Sequence, residues 1–326
     1  MKKILSILLV AIFILVALIG CGSGSDPATE NERYPALGND TPGTPSDITP
    51  LMWRVTSPDG QGMYLFGSIH VGDSSIYPLP DFVMNAFERS DYLAVEVDIY
   101  AFANDMAAVM RMSAMMVYTG GRTIVDDIGE ELHAQLVEIL TDNNTPAFLL
   151  NTMDRMRPAM WHSTIGEISV SRAGLSADYG VDMHFIHAAM ARGMEVLEVE
   201  SMDSQMQMMV DFSTELWTLM LQSAVHYFDE SAEAILELFL AWQEGDYYAI
   251  LALLESEMSD VPPHLAEEYN NAMMIQRDIE MTAVARQYMA DGKDVFFVVG
   301  LAHFVGDDSI IYLLRNYGYE VELVRP

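Results

Sequence analysis

The sequence predicts an α/β domain with a mixed central sheet surrounded by helices and a large helical insertion or cap. Three observations carry this expectation. Six short β-like runs are spread along the chain, helical patterns fill most of the intervals, and the first two runs form a tight hairpin. In order, Leu51–Val55 and Met63–Phe66 flank Ser57-Pro58-Asp59-Gly60, where Pro and Gly take usable turn positions. A hairpin is antiparallel, so it makes a sheet otherwise linked by helical crossovers a mixed one. Leu93–Val97, Val196–Val199, Val295–Val299 and Val321–Val324 supply the other strands. Helical spacing is read over Phe82–Arg89, Phe102–Tyr118, Glu130–Leu140, Asp182–Arg192, Ser204–Tyr227, Ala232–Trp242, His264–Ala290 and Asp308–Asn316. The helical middle, roughly residues 101–290 less one strand, is larger than simple crossovers need, hence the cap. Methionines cluster at Met106–Met116 and Met202–Met209 with spacings that place most of them on one helical stripe, either as core filler or as a pliable groove.

The chain has 326 residues, with 16 Lys and Arg against 48 Asp and Glu, a formal charge of −32. With 51% hydrophobic residues it can bury enough surface to fold despite that charge. So negative a field repels phosphate backbones, which argues against nucleic-acid binding, and it disfavours docking on anionic lipid through a basic patch. At the N-terminus, Lys2 and Lys3 precede an apolar run from Ile4 to Ile19 that is short for a membrane span. The run ends in Leu18-Ile19-Gly20-Cys21, which resembles a bacterial lipobox, and Cys21 is the single cysteine. Residues 1–20 therefore read as a lipoprotein signal peptide and Cys21 as the lipidation site. Residues 21–50, rich in Gly, Ser, Pro, Thr and Asn, read as a flexible tether, and 51–326 as the folded domain. The expected location is extracytoplasmic, anchored to the membrane.

The candidate chemistry lies at strand ends. Met63-Tyr64-Leu65-Phe66-Gly67-Ser68-Ile69-His70 runs a hydrophobic strand into Gly-x-x-His, and Val295–Val299 followed by Gly300-Leu301-Ala302-His303 does the same. In open α/β sheets, ligands gather at the C-terminal edge of the strands. Imidazole is both a common metal ligand and a common general base, and the repeated context does not choose between them. Glu96 interrupts the apolar run Leu93-Ala94-Val95-Glu96-Val97, where a carboxylate is costly unless it meets a cation or donors. The plain alternatives are two unrelated turn histidines and a solvated edge strand. Two His and one Glu make a three-ligand set for a catalytic divalent metal. Asp182 is placed to cap the helix after Tyr179-Gly180-Val181, and His184 and His187 follow it at i, i+3. Glu198 and Glu200 close another strand, and Arg277 sits inside a long helix.

Together, Gly67-Ser68-Ile69-His70, Val95-Glu96-Val97-Asp98, Tyr179-Gly180-Val181-Asp182, Arg277 ahead of Met281, and Gly300-Leu301-Ala302-His303 resemble the TraB/GumN family, which includes the Tiki proteins. The resemblance runs from about Trp53 to Val324. It implies a fold akin to the erythromycin-esterase and ChaN-like proteins. It also implies a site with His70, Glu96 and His303 at its core and Asp182, Glu200 and Arg277 as further matches. In the Tiki branch such a site supports metal-dependent peptidase activity. Two departures stand out: Asp278 follows Arg277 where the family often has Asn, and Glu198 competes with Glu200 for the acidic position. The expected function is a metal-dependent hydrolase, most simply a peptidase, using Mn²⁺, Co²⁺ or Zn²⁺ on a peptide or small-molecule substrate. The alternative is a lipid-anchored binding protein that sequesters such a ligand without turning it over.

Overall fold

The computed structural model describes residues 45–326, apart from Ser259 and the side chains of residues 257–258. The leader, Cys21 and the tether up to residue 44 lie outside the described residues. Residues 45–50, assigned by composition to the tether, run along the fold. Ser46 donates from its backbone N–H to Pro78 and Thr49 donates likewise to Gln243 (2.7 Å), while Pro50 is buried.

Six strands form one sheet: β1 (Met52–Thr56), β2 (Gly62–Ser68), β3 (Tyr92–Val95), β4 (Glu195–Glu198), β5 (Val295–Gly300) and β6 (Glu320–Val324). Their order is β4-β3-β5-β2-β1-β6. The first four in that order run parallel, and β1 pairs antiparallel with both β2 and β6, so the sheet is mixed as expected. β5 reads Val-Phe-Phe-Val-Val and is buried along that whole run, as a central parallel strand covered on both faces must be. Register pairs Ser68 with Gly300 and Val95 with Val298. The parallel strands therefore end together, and Glu96, Glu200, His70 and His303 all follow those ends.

The helices are α1 (Asp81–Arg89), α2 (Ile99–Asn104), α3 (Met106–Met115), α4 (Val125–Asp142), α5 (Ala147–Met153), α6 (Pro158–Arg172), α7 (Val181–Arg192), α8 (Met202–Asp211), α9 (Thr214–His226), α10 (Phe228–Glu244), α11 (Tyr247–Met258), α12 (Pro263–Asn270), α13 (Gln276–Ala290) and α14 (Ile310–Asn316). A π-helical turn, Asn271–Ile275, joins α12 to α13. Two stretches expected as single helices are broken by caps. The Asp105 carboxylate accepts from the N–H groups of Ala107 and Ala108 and starts α3, and the Ser213 hydroxyl accepts from Leu216 N–H and starts α9. α6 was not legible as a helix because it is buried on several sides, from Trp161 and His162 through Ile165 to Ser169 and Val170, so no stripe stands out.

The middle helices build apolar clusters of their own, separate from the sheet core. One gathers Phe102, Met112, Met116, Met206, Met209 and Trp217, and another joins Ile124, Leu136, Trp161 and Leu221. Most of the clustered methionines are thus core filler, although Met106 and Met110 are exposed. Trp242 ties α10 to the end of the interior strand β2, its indole N–H donating to the Gly67 carbonyl at 2.8 Å. Among the described residues no helix is long and apolar enough to cross a membrane.

Candidate active site

The loop after β2 is pinned to the start of α7, which sets the first half of the site. Val181 N–H donates to Ile69 O, Tyr77 O–H donates to Tyr179 O, and Gly72 and Ser176 exchange two backbone hydrogen bonds. Gly180 makes the close approach possible: a methyl group there would stand 2.4 Å from the His70 carbonyl oxygen. Asp182 consequently turns to His70 instead of capping α7, and its Oδ2 lies 2.7 Å from His70 Nδ1. Gly180→Ala is expected to cost about 1–3 kcal/mol in denaturant unfolding. It is also expected to loosen the His70–Asp182 pair, seen as a shift of the His70 imidazole resonances. Unchanged resonances and stability would refute this account of the loop.

The second half comes from β3, β4, β5 and α13. Just past β3, Glu96 is 8% exposed, and its two oxygens do different work. Oε1 accepts from Gly300 N–H at 2.6 Å, and Oε2 accepts from Arg277 Nη2 at 2.9 Å and from Gln205 Nε2 at 3.3 Å. The β3–β4 ladder continues past the strands, with Glu200 N–H donating to Glu96 O, and this delivers the Glu200 side chain to Arg277. Arg277 Nε donates to Glu200 Oε1 at 2.9 Å, and Gln205 Nε2 donates to Glu200 Oε2 at 2.8 Å. Glu200, and not Glu198, takes the acidic position; the Glu198 carboxylate accepts from Asp98 N–H at the exposed surface. His303, 4% exposed, has its Nδ1 2.6 Å from Asp278 Oδ1. The π turn leads directly into Arg277 and Asp278, and these neighbours are both buried, one facing Glu96 and the other His303.

Gly300 marks where the groups meet. A methyl group built on its Cα would lie 3.1 Å from Glu96 Oε1, 3.7 Å from His70 Nε2 and 3.8 Å from His303 Cδ2. Both imidazoles therefore share one spot with the carboxylate, and each is held from behind by a carboxylate at Nδ1. That is the outer-shell arrangement of metal-ligating histidines. Among the described residues, no three His, Cys, Asp or Glu side chains already stand at ligating positions. His303 Nε2 is 4.0 Å from Glu96 Oε1, whereas two ligands of a tetrahedral ion at about 2.1 Å sit roughly 3.4 Å apart. Two imidazoles and a carboxylate are donor types that suit a divalent cation, but as they stand the groups are not at ligating spacing.

Four carboxylates share the cluster with one guanidinium, Glu96 and Glu200 facing Arg277 while Asp182 and Asp278 face the histidines, so the cluster favours positive charge. Burial lowers the pKa of His70, but Asp182 and then Glu96 outweigh it and bring the ring up to about 9. Burial would raise Glu96, yet Arg277 foremost, with both histidines and Gly300 N–H, holds it at about 2. Asp278 is raised by burial, opposed by its bond to His303.

The family model described as the TraB/PrgY/gumN family matches residues 51–323, the strands and helices that carry every one of these groups. The chain belongs to this family. A family member, the uncharacterized protein YbaP of Escherichia coli (strain K12), is 23% identical over 80% of this chain and 90% of its own. Metalloprotease TIKI1 of Danio rerio is 22% identical over 85% of this chain and 63% of its own length, and metalloprotease TIKI2 of the same fish is 21% identical over 88% and 63%. No solved structure matches the chain. The family members named as metalloproteases suggest metal-dependent proteolysis within the family.

The six residues singled out in the sequence, His70, Glu96, Asp182, Glu200, Arg277 and His303, fall in one connected cluster. Gln205 and Asp278 join it without having been singled out as site groups. Gln205 lies on the same buried stripe as Met202, Met206 and Met209, where the methionines mask it, and Asp278 stood out only as a departure from the family pattern. His184 packs tilted against Tyr77 and His187 edge-on to Tyr100, and neither is among the groups that meet at Gly300.

Proposed function

We propose that this protein is a metal-dependent hydrolase acting on peptides, exported and held at the membrane by a lipid on Cys21. The observation that carries the catalytic part is the meeting of His70 Nε2, the His303 ring and Glu96 Oε1 around Gly300, with Nδ1 of each histidine already engaged. His70, His303 and Glu96 would hold the ion, and a bound divalent ion supplies a water acidic enough to ionise near neutrality. Asp182 and Asp278 face the Nδ1 atoms and orient both rings, so each Nε2 is left for the ion, whose binding would displace the second proton that His70 otherwise carries near neutral pH. Arg277 and Gln205 fix Glu96 Oε2, so Oε1 stays turned to the histidines. Arg277 acts here as a positioning residue, because Glu96 and Glu200 occupy its Nε and Nη2 donors. His70, with 18% of its side chain exposed, is the most open of the three proposed ligands and faces incoming substrate. The support for anchoring is the leader-like run ending at the single cysteine.

The test is metal analysis plus turnover of a defined peptide mixture with Mn²⁺, Co²⁺ or Zn²⁺. The parent is expected to hold about one divalent ion per chain. His70→Ala and His303→Ala are each expected to lose that ion and at least about 100-fold in turnover. Equal metal content and equal cleavage in parent and variants would sink the proposal. Peptides bound but recovered intact with all three metals would favour the binding-protein reading.

A further inference from the structure

Beside the buried cluster lies a cleft of about 330 Å³, lined by α8 and by the run from α12 through the π turn to α13. It shares Glu200, Gln205 and Arg277 with the cluster, so a molecule in the cleft lies next to the proposed site. Its apolar lining is Met208, Phe212 and Ala272. Asp211, Glu268 and Glu280 add acid, and Arg277 is the only cationic side chain among the lining residues.

The charge balance of that lining selects an occupant. Arg277 is committed to Glu96 and Glu200, two carboxylates for one guanidinium. The other acids are satisfied only by neutral donors: Asp211 by Gln207, Glu280 by Gln276, and Glu268 by the backbone N–H and hydroxyl of Ser213. Neutral donors fulfil the hydrogen bonds but leave the charge in place. An apolar wall with uncompensated carboxylates suits a side chain with an aliphatic stem and a cationic head, next to an apolar residue. An acidic segment would meet only repulsion there.

We propose that this cleft binds the substrate chain beside the scissile bond, and that it selects peptide segments in which a Lys or Arg adjoins an apolar residue. This rests on the peptidase reading above, so its test reads binding separately from cleavage. Fluorescein-labelled pentapeptides with Lys-Leu, Glu-Leu or Lys-Ser at the centre are titrated against the full chain by anisotropy. Mass spectrometry of the same samples records whether each peptide is cut.

The Lys-Leu peptide is expected to bind about tenfold or more tightly than Glu-Leu, with Lys-Ser between them. Asp211→Asn with Glu280→Gln should remove most of the Lys-over-Glu preference. Glu320→Gln with Glu322→Gln on β6, which neutralises as many acids away from the cleft, should leave it. Equal binding of the Lys and Glu peptides would overturn the proposal. So would equal loss of preference in both double variants, since the overall negative field would then explain the effect. Selective binding with intact peptides would sink the hydrolase reading and keep the cleft, whereas cleavage without a Lys preference would do the reverse.

Discussion

Arg277→Ala should lower unfolding stability at neutral pH by about 3–5 kcal/mol, measured by urea denaturation. The guanidinium is 6% exposed and is the cation between Glu96 and Glu200, both of which stay buried when it is removed. Gln205 and Gly300 N–H still donate to those carboxylates, but neutral donors do not replace a charge. The loss should depend on pH in a defined direction. In the parent, Glu96 is held at about 2, below its ordinary 4.5, so its contribution is fully present above about 4.5 and disappears as pH falls toward 2. Without Arg277, the largest of the groups that hold Glu96 down is gone and burial is opposed only by the two histidines and Gly300 N–H, so its ionised form is less well stabilised as pH rises. Parent and variant should therefore converge on acidification. Arg277→Lys should fall between them, because an ammonium cannot reproduce the fork that spans two carboxylates. A loss that stays constant from pH 7 to pH 4, or no loss, would refute this role.

Gly300→Ala should have the opposite profile, with stability kept within about 1 kcal/mol and turnover lowered by about 100-fold or more. The added methyl would project into the space shared by Glu96 Oε1, His70 Nε2 and the His303 ring, at 3.1–3.8 Å from each. The Glu96 carboxylate would yield by a few tenths of an ångström, which the fold tolerates. The same movement spoils a set of groups whose alignment is the catalyst. Kinetics, metal content and denaturation on one preparation check it together. Full turnover in a folded Gly300→Ala protein would place the reaction elsewhere.

What could be read from the sequence followed from periodicity and from strand ends. All six strands were legible, and His70, Glu96 and His303 drew notice because each interrupts or directly follows an apolar run. Their convergence was not legible, because it depends on β5 lying between β2 and β3, a matter of tertiary pairing. Asp182 carried the signal of a helix cap, and only the tight packing of Gly180 under His70 turns it to the site. Arg277 is carried to the site by the family resemblance alone and Asp278 stands out only as a departure from it, because nothing in the helical pattern marks either as buried. A π turn that no residue pattern announces precedes them, and both are buried. α6 failed to register because a helix buried on several faces has no polar side to contrast with its apolar one.

The central position of β5 also governs when the site can exist. This strand comes about 200 residues after β2 and β3 in the chain, yet β2 and β3 pair through it and not with each other. A growing chain that has reached Ala290 already carries His70, Glu96 and Arg277, but has two open strand edges where the sheet should close. Gly300 and His303 arrive with the closing strand, and the Glu96–Gly300 bond spans 204 positions. The proposed centre is thus incomplete until the chain has been made past His303. Products truncated ahead of Val295 lack Gly300 and His303 and leave the facing edges of β2 and β3 unpaired.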